Sequence, residues 1–289
     1  MAFKPSELIL NPDGSVYHLN LKPEHIAKTV ITVGDPDRVE EVSKYFDTIE
    51  FKIQKREFHT HTGYYKGKHI TVISTGIGTD NIDIVLNELD ALVNIDLPTR
   101  TVRPELTSLE IIRIGTSGAI QDDIPVDSFF VSEFSVGFDS LLHYYENKNV
   151  LHADFSEALM EHCNWSPQKS KPYFVKSDES LFNRFTSQKT VEGITATNVG
   201  FYGPQGRTLR LNLQDDTLND KIASFKFRGH CISNLEMETA GIYGLAELLG
   251  HKAVSLSAII ANRVTGQFSS NPKAVVNNLI IYTLNKLIE

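Results

Sequence analysis

Glu110-Ile111-Ile112-Arg113-Ile114-Gly115-Thr116-Ser117-Gly118 is the stretch on which the reading of this chain turns. Isoleucines flank Arg113 on both sides with no turn residue among them, which predicts a buried strand over residues 110–114 that ends at Gly115. An arginine inside such a strand is out of place. A guanidinium taken from water without a partner costs several kcal/mol, so Arg113 must meet a carboxylate or a bound anion such as phosphate. Gly115 to Gly118 follow at once and offer hydroxyls and accessible amides beside that charge.

Working outward, similar β-branched runs occur at residues 29–33 and 70–74, each followed by glycine, and later at 128–131, 193–198 and 253–261. Helical periodicity fills residues 37–45, 80–92, 178–186, 237–249 and 271–287. This alternation predicts an α/β fold with a mainly parallel sheet covered by helices on both faces, in one domain over residues 1–289. Residues 94–108, with Pro98 and Pro104, read as a long loop or insertion, and residues 215–228 as a further helix.

Composition narrows the partners. With 41% hydrophobic and 22% charged residues in 289, disorder is excluded. The 36 acidic and 28 basic residues leave a formal charge of −8, which argues against a duplex nucleic-acid or anionic membrane surface, so an anion must be caught locally. Cys163 and Cys231 sit in no disulfide or metal-ligand spacing, and a reducing, cytoplasmic setting is expected. Residues 1–13 lack the apolar segment of a signal peptide, and the longest apolar run, 253–261, is too short to span a bilayer.

Ligands of open α/β sheets gather at the carboxyl ends of strands. There the chain carries Gly34-Asp35-Pro36-Asp37-Arg38-Val39, where glycine allows a sharp turn and a helix N-terminus with Arg38 can hold an anion. It also carries Ser74-Thr75-Gly76-Ile77-Gly78-Thr79, whose glycines permit close approach of the backbone. Neither a Walker lysine nor a G-x-G-x-x-G pattern is present, which leaves triphosphate and dinucleotide sites unsupported. Arg56-Glu57-Phe58, charged and aromatic, is expected to lie in a strand and reads alone as an exposed charged pair.

Glu236 and Glu238, in Leu235-Glu236-Met237-Glu238-Thr239, sit where a helix is predicted to begin, and the dipole favours negative charge there. Capping accounts for one of them; a carboxylate is also a natural acceptor for sugar hydroxyls. Two residues apart on a helix they do not share a face, so they are not expected to act as a glycosidase-type acid and base on one bond. Phe201-Tyr202-Gly203-Pro204-Gln205-Gly206-Arg207 puts aromatic rings beside an amide and a guanidinium, groups that can stack on a flat ring and read its carbonyl and imide edge, although alone it reads as a surface turn. Ile259-Ile260-Ala261-Asn262-Arg263 closes the last apolar run with a polar pair.

Together, the blocks at 34–39, 113–119, 201–207 and 234–240 resemble the uridine phosphorylase branch of the nucleoside phosphorylase superfamily, and the resemblance runs from about His18 to the C-terminal helix. It implies a three-layer α/β/α fold with a mixed, mainly parallel sheet. It also implies homodimers, in some members three to a hexamer, with each site shared across a dimer interface. Phosphate would be held by Gly34, Arg38, Arg113 and Thr116, with Arg56 reaching into the adjacent subunit's site. Thr116, Glu236, Met237 and Glu238 would hold the ribose, and His18 would contact the sugar of a neighbouring subunit. Phe201, Gln205 and Arg207 would take the base, with Arg263 supporting Arg207, and Arg113, Gln205 and Arg207 would carry the catalysis.

The implied reaction joins uridine and phosphate to give uracil and ribose 1-phosphate, a pentosyl transfer needing no organic cofactor. Some bacterial members hold a potassium ion between subunits, which makes Glu57, Ile77 and Asn81 the matching trio, with asparagine where the family has serine. The nearest alternative is a purine nucleoside phosphorylase. Purine members place an aspartate to protonate the base where this chain has Arg263, which cannot serve as an acid at neutral pH. A hydrolytic nucleosidase would leave three anion-binding arginines without a purpose, and a nucleoside-binding sensor or storage protein would keep the pocket without turnover.

Overall fold

The structure, a computed structural model, describes residues 2–147 and 149–289. In chain order it forms β1 (Thr29–Val33), α1 (Asp37–Ser43), β2 (Thr48–Lys55), β3 (Phe58–Tyr65), β4 (Lys68–Ser74) and α2 (Thr79–Asn94). Then come β5 (Ile95–Asp96), β6 (Thr101–Val102), β7 (Glu110–Ala119), β8 (Phe129–Gly137), α3 (Ala153–Cys163), β9 (Tyr173–Lys176), α4 (Glu179–Phe185) and β10 (Thr190–Thr197). The last part holds α5 (Leu218–Ser224), β11 (Lys226–Phe227), β12 (His230–Glu236), α6 (Thr239–Leu248), β13 (Lys252–Asn262), β14 (Gln267–Phe268) and α7 (Pro272–Lys286).

The buried β-branched runs form the centre of a mixed sheet in the order β11-β12-β10-β8-β13-β7-β1-β4-β3-β2. Its parallel parts are β4-β1-β7-β13 and β8-β10-β12, joined antiparallel between β13 and β8. Alternating side chains along β1 and β7 divide the core between the two faces. Val30 and Ile111 pack with α2 and α6 on one face, and Ile31 and Ile112 with α1, α4 and α7 on the other. A further cluster gathers Phe155 and Leu159 of α3, Ile222 of α5 and Ile232 of β12. The expected α/β sandwich is thus observed.

Several expectations are corrected. β7 does not stop at Gly115. It runs on through Gly118 and Ala119 because β13 pairs with it on one side as far as Asn262, and β12 pairs antiparallel with its end through Leu235 and Asn234. That last pairing closes a circuit of β7, β13, β8, β10 and β12, which sets the end of β12 beside the end of β7. α6 begins at Thr239 rather than 237, so Glu236 is the last residue of β12 and Glu238 occupies the N-cap position, with no capping hydrogen bond from its own side chain. Arg56 and Glu57, expected within a strand, form the turn between β2 and β3. Residues 94–108 contain the small β5–β6 hairpin, tied down where the Asn94 side chain accepts from Thr107 N (2.7 Å). The helix expected within 215–228 is α5, followed by β11. Among the described residues no helix is long and apolar enough to cross a membrane.

Candidate active site

A cavity of about 750 Å³ opens where β1, β7, β12 and β13 end, lined among others by Gly34, Arg38, Arg113, Thr116, Phe201, Gln205, Arg207, Glu236, Met237 and Glu238. Residues spread over two hundred positions of sequence are therefore brought to one hollow. Ile260 and Phe268, which sequence reasoning missed, add apolar wall. Phe268 lies on β14, whose two residues pair with the end of β13, too short a run to stand out in sequence.

Arg113 meets carboxylates. Its Nη2 lies 2.6 Å from Glu238 Oε2 and 3.0 Å from Glu236 Oε2. Burial opposes its charge, but the two carboxylates outweigh that and raise its pKa above the ordinary value. The acids converge because they are not on one helix, as expected from the sequence, but straddle the strand-to-helix junction. Gly115 is needed for this geometry: a Cβ there would lie 2.1 Å from Arg113 Nη1. That nitrogen otherwise reaches only Ser255 and Ser257 Oγ, at 3.5 and 3.4 Å, long contacts that leave most of its donor capacity unused.

The two carboxylates differ in how far they are committed. Glu236 accepts from Thr197 Oγ1 (2.6 Å), from the amides of Glu238 (2.9 Å) and Thr239 (3.0 Å), and from Arg113. It is an internal anchor whose oxygens are taken by protein donors. Among the described residues Glu238 accepts only from Gly78 N (2.9 Å) and Arg113. Burial, reinforced by the negative charge of Glu236, pushes the Glu238 carboxyl above its ordinary pKa despite Arg113.

Arg38, on the first turn of α1, is different again. It is half-buried, makes no ion pair among the described residues, and its buried Nε has no hydrogen-bond partner. Burial lowers its pKa, and the charge of Arg113 adds to that, although an arginine stays protonated at neutral pH. A cation so placed is a seat for an anion.

Around the base-reading segment, Arg207 Nη1 donates to Gln205 Oε1 (2.6 Å) and to the Phe201 carbonyl (2.6 Å), and its guanidinium lies over the Phe201 ring at 3.7 Å. Arg263 Nη1 donates to the Gln205 carbonyl at 2.8 Å. Burial lowers the pKa of both arginines, and for Arg207 the neighbouring Arg263 adds to it. Neither has a carboxylate partner among the described residues. The segment is a built corner rather than the plain surface turn its isolated sequence suggests.

Three expected residues are not part of the cavity wall: Arg263, which stands behind Gln205, and His18 and Arg56. His18 Nδ1 pairs with Glu88 Oε1 at 2.6 Å, and Arg56, in a left-handed turn with φ 54°, sits 5.9 Å from the Tyr17 ring. Tyr17 and His18 are themselves in edge contact, so the two residues share one patch. Glu57, Ile77 and Asn81 do lie together on the cavity wall. Asn81 Nδ2, however, donates to the Ile77 carbonyl (3.3 Å), which points an amide donor at the oxygen a cation would need. Nothing in this arrangement points specifically to a potassium ion.

Over residues 28–280 the chain matches the family described as the phosphorylase superfamily. It is 31% identical to a uridine phosphorylase of Thermococcus kodakarensis, covering 92% of this chain and 84% of the relative. To a uridine phosphorylase of Haemophilus influenzae it is 29% identical, covering 86% of each. A solved nucleoside phosphorylase of Trypanosoma brucei, described as showing uridine phosphorylase activity, superposes with a TM-score of 0.87 at 28% identity, covering 97% of this chain and 99% of that one.

Proposed function

The chain belongs to the phosphorylase superfamily, and on that footing we propose that its cavity cleaves uridine with inorganic phosphate to give uracil and ribose 1-phosphate. One observation carries the reading: a single cavity is lined both by Arg38, a half-buried cation with no ion-pair partner among the described residues, and by the Gln205–Arg207 pair backed by Arg263. Uridine phosphorylases among the relatives support the same substrate.

Phosphate takes the Arg38 guanidinium together with the Gly34 turn, Thr116 and the underused Nη1 of Arg113. Glu238 is the carboxylate free to change partners, and it accepts from the ribose hydroxyls beside Met237. Glu236 keeps Arg113 in place and is a positioning residue rather than a sugar ligand. A phosphate oxygen then bonds to C1′ as the C1′–N1 bond breaks and its electron pair leaves with the base, through a sugar with oxocarbenium character. Negative charge developing on uracil meets Gln205 and Arg207, with Arg263 adjacent. Two arginines without a carboxylate suit an anionic leaving group, because such preorganised donors are worth most where charge appears. No organic cofactor takes part in these steps.

Tyr17, His18 and Arg56 form one patch away from the cavity of their own chain, which supports a homodimer in which they complete the neighbour's site. The cytoplasm is the setting in which such salvage chemistry would operate.

Initial rates with uridine and with inosine, each with and without phosphate, test the proposal. Phosphate-dependent uracil release that outpaces hypoxanthine release is expected. Faster inosine cleavage overturns the pyrimidine assignment, and equal rates without phosphate overturn phosphorolysis.

A further inference from the structure

Outside the cavity, α1 and β3 bring together three side chains that the proposed reaction does not use. His59 and His61 alternate along β3 and so project to one face, and Glu40 comes from α1 packed above. One ligand atom of each lies within 4.8 Å of the others, and the imidazole rings meet edge to face at 4.6 Å. His61 is 1% exposed. Its Nδ1 is 2.7 Å from Ser43 Oγ, while its Nε2 is buried with no hydrogen-bond partner among the described residues.

An orphaned buried imidazole nitrogen beside a second histidine and a carboxylate is unsatisfied chemistry that a cation would complete. With Nδ1–H donating to Ser43, Nε2 presents its lone pair, the outer-sphere arrangement that orients a ligating histidine. We propose that Glu40, His59 and His61 bind a divalent transition cation of the zinc class and thereby clamp α1 to β3.

Two imidazoles and one carboxylate form a donor set suited to zinc, with a fourth position left for water. Ligand atoms about 2.1 Å from a tetrahedral ion stand roughly 3.4 Å apart. The three ligand atoms lie within 4.8 Å of one another, and exposed Glu40 can rotate to draw the set together. Lys52 stands opposite His61 in the β2–β3 register, but it is exposed and its charge is screened by solvent. α1 also carries Arg38, so a filled site would steady the helix that presents the anion-holding side chain.

The test uses the full chain, freed of metal with a chelator and dialysed. Zinc chloride is then titrated by calorimetry and by thermal melting, with magnesium chloride for comparison. We expect one zinc per chain, a raised melting temperature, no response to magnesium, and at least tenfold weaker zinc binding in His59→Gln and in Glu40→Gln. Both replaced residues are partly or fully exposed, and the melts of the metal-free variants check that they fold. Cobalt(II) in place of zinc should give the absorption bands of a tetrahedral site, lost in the same variants. Zinc uptake that is absent, or unchanged in both variants, overturns the proposal.

Discussion

At the scale of single residues, half-buried Arg38 and buried His61 each carry an unsatisfied buried atom, and they lead to opposite expectations. Arg38 gives up hydration without gaining a carboxylate, so its value must lie in binding. Arg38→Gln is expected to lower kcat/KM for phosphate by about 10²–10³-fold, the effect of removing one preorganised donor. Its melting temperature should stay level or rise, because no ion pair is broken. Steady-state kinetics beside a thermal melt check both halves, and a change in kcat/KM below threefold would count against the anion seat. For His61, burial lowers the pKa from 6.5 to about 4, with His59 and Lys52 adding to the shift. The unfolded chain therefore binds the extra proton first. His61 leaves stability intact above about pH 6.5 and erodes it as pH falls toward 4, by on the order of 2 kcal/mol at pH 5. Melts of metal-free protein from pH 7.5 to 5 should fall more steeply for the wild type than for His61→Gln; parallel curves would show that the imidazole is not buried neutral.

At the scale of elements, the β7 strand and the β12–α6 junction make the site, and here sequence legibility was uneven. β1, β4 and β7 could be read because their centres are buried on both faces and spell continuous β-branched runs. β2 was missed although Ile49, Phe51 and Ile53 alternate with Thr48, Glu50, Lys52 and Gln54, the period-two signal of an edge strand with one face toward solvent. α3 fell outside the predicted helices although Phe155, Leu159 and Cys163 recur at four-residue spacing and are buried, a signal that could have found it. The continuation of β7 past Gly115 depends on pairing with distant β12 and β13, information no local pattern holds. For the same reason Glu236 and Glu238 were read as helix neighbours facing apart, whereas the junction turns both onto Arg113. A methyl group at Gly115 must displace that guanidinium. Gly115→Ala is expected to cost about 10²-fold in kcat/KM, since shifting a catalytic group by about 1 Å has that effect. Kinetics with circular dichroism as a folding check measure it, and near-wild-type activity would mean that Arg113 need not occupy this position.

At the scale of the whole molecule, the site residues divide into a set around the cavity and a patch of Tyr17, His18 and Arg56 apart from it. The sequence could assign His18 and Arg56 to a neighbour only through family resemblance, because residue type and spacing say nothing of a second chain. If subunits share sites as proposed, Arg56→Ala and Glu238→Gln, each nearly inactive, should complement when their subunits are mixed. A mixed dimer then has one site carrying both changes and one carrying neither. Random exchange would restore roughly a quarter of wild-type activity. Co-expression of differently tagged variants followed by assay of the mixed species reads this out, and activity no higher than the parents' sum would assign Arg56 to its own chain's site or to none.

The central claim is that the cavity transfers the ribosyl group to inorganic phosphate. Phosphorus NMR of protein, uridine and phosphate tests it most directly, with uracil followed by its absorbance in the same tube. The account predicts that the inorganic phosphate resonance declines and a sugar phosphate resonance grows, one for each uracil released. Uracil release with the phosphate resonance unchanged would contradict it.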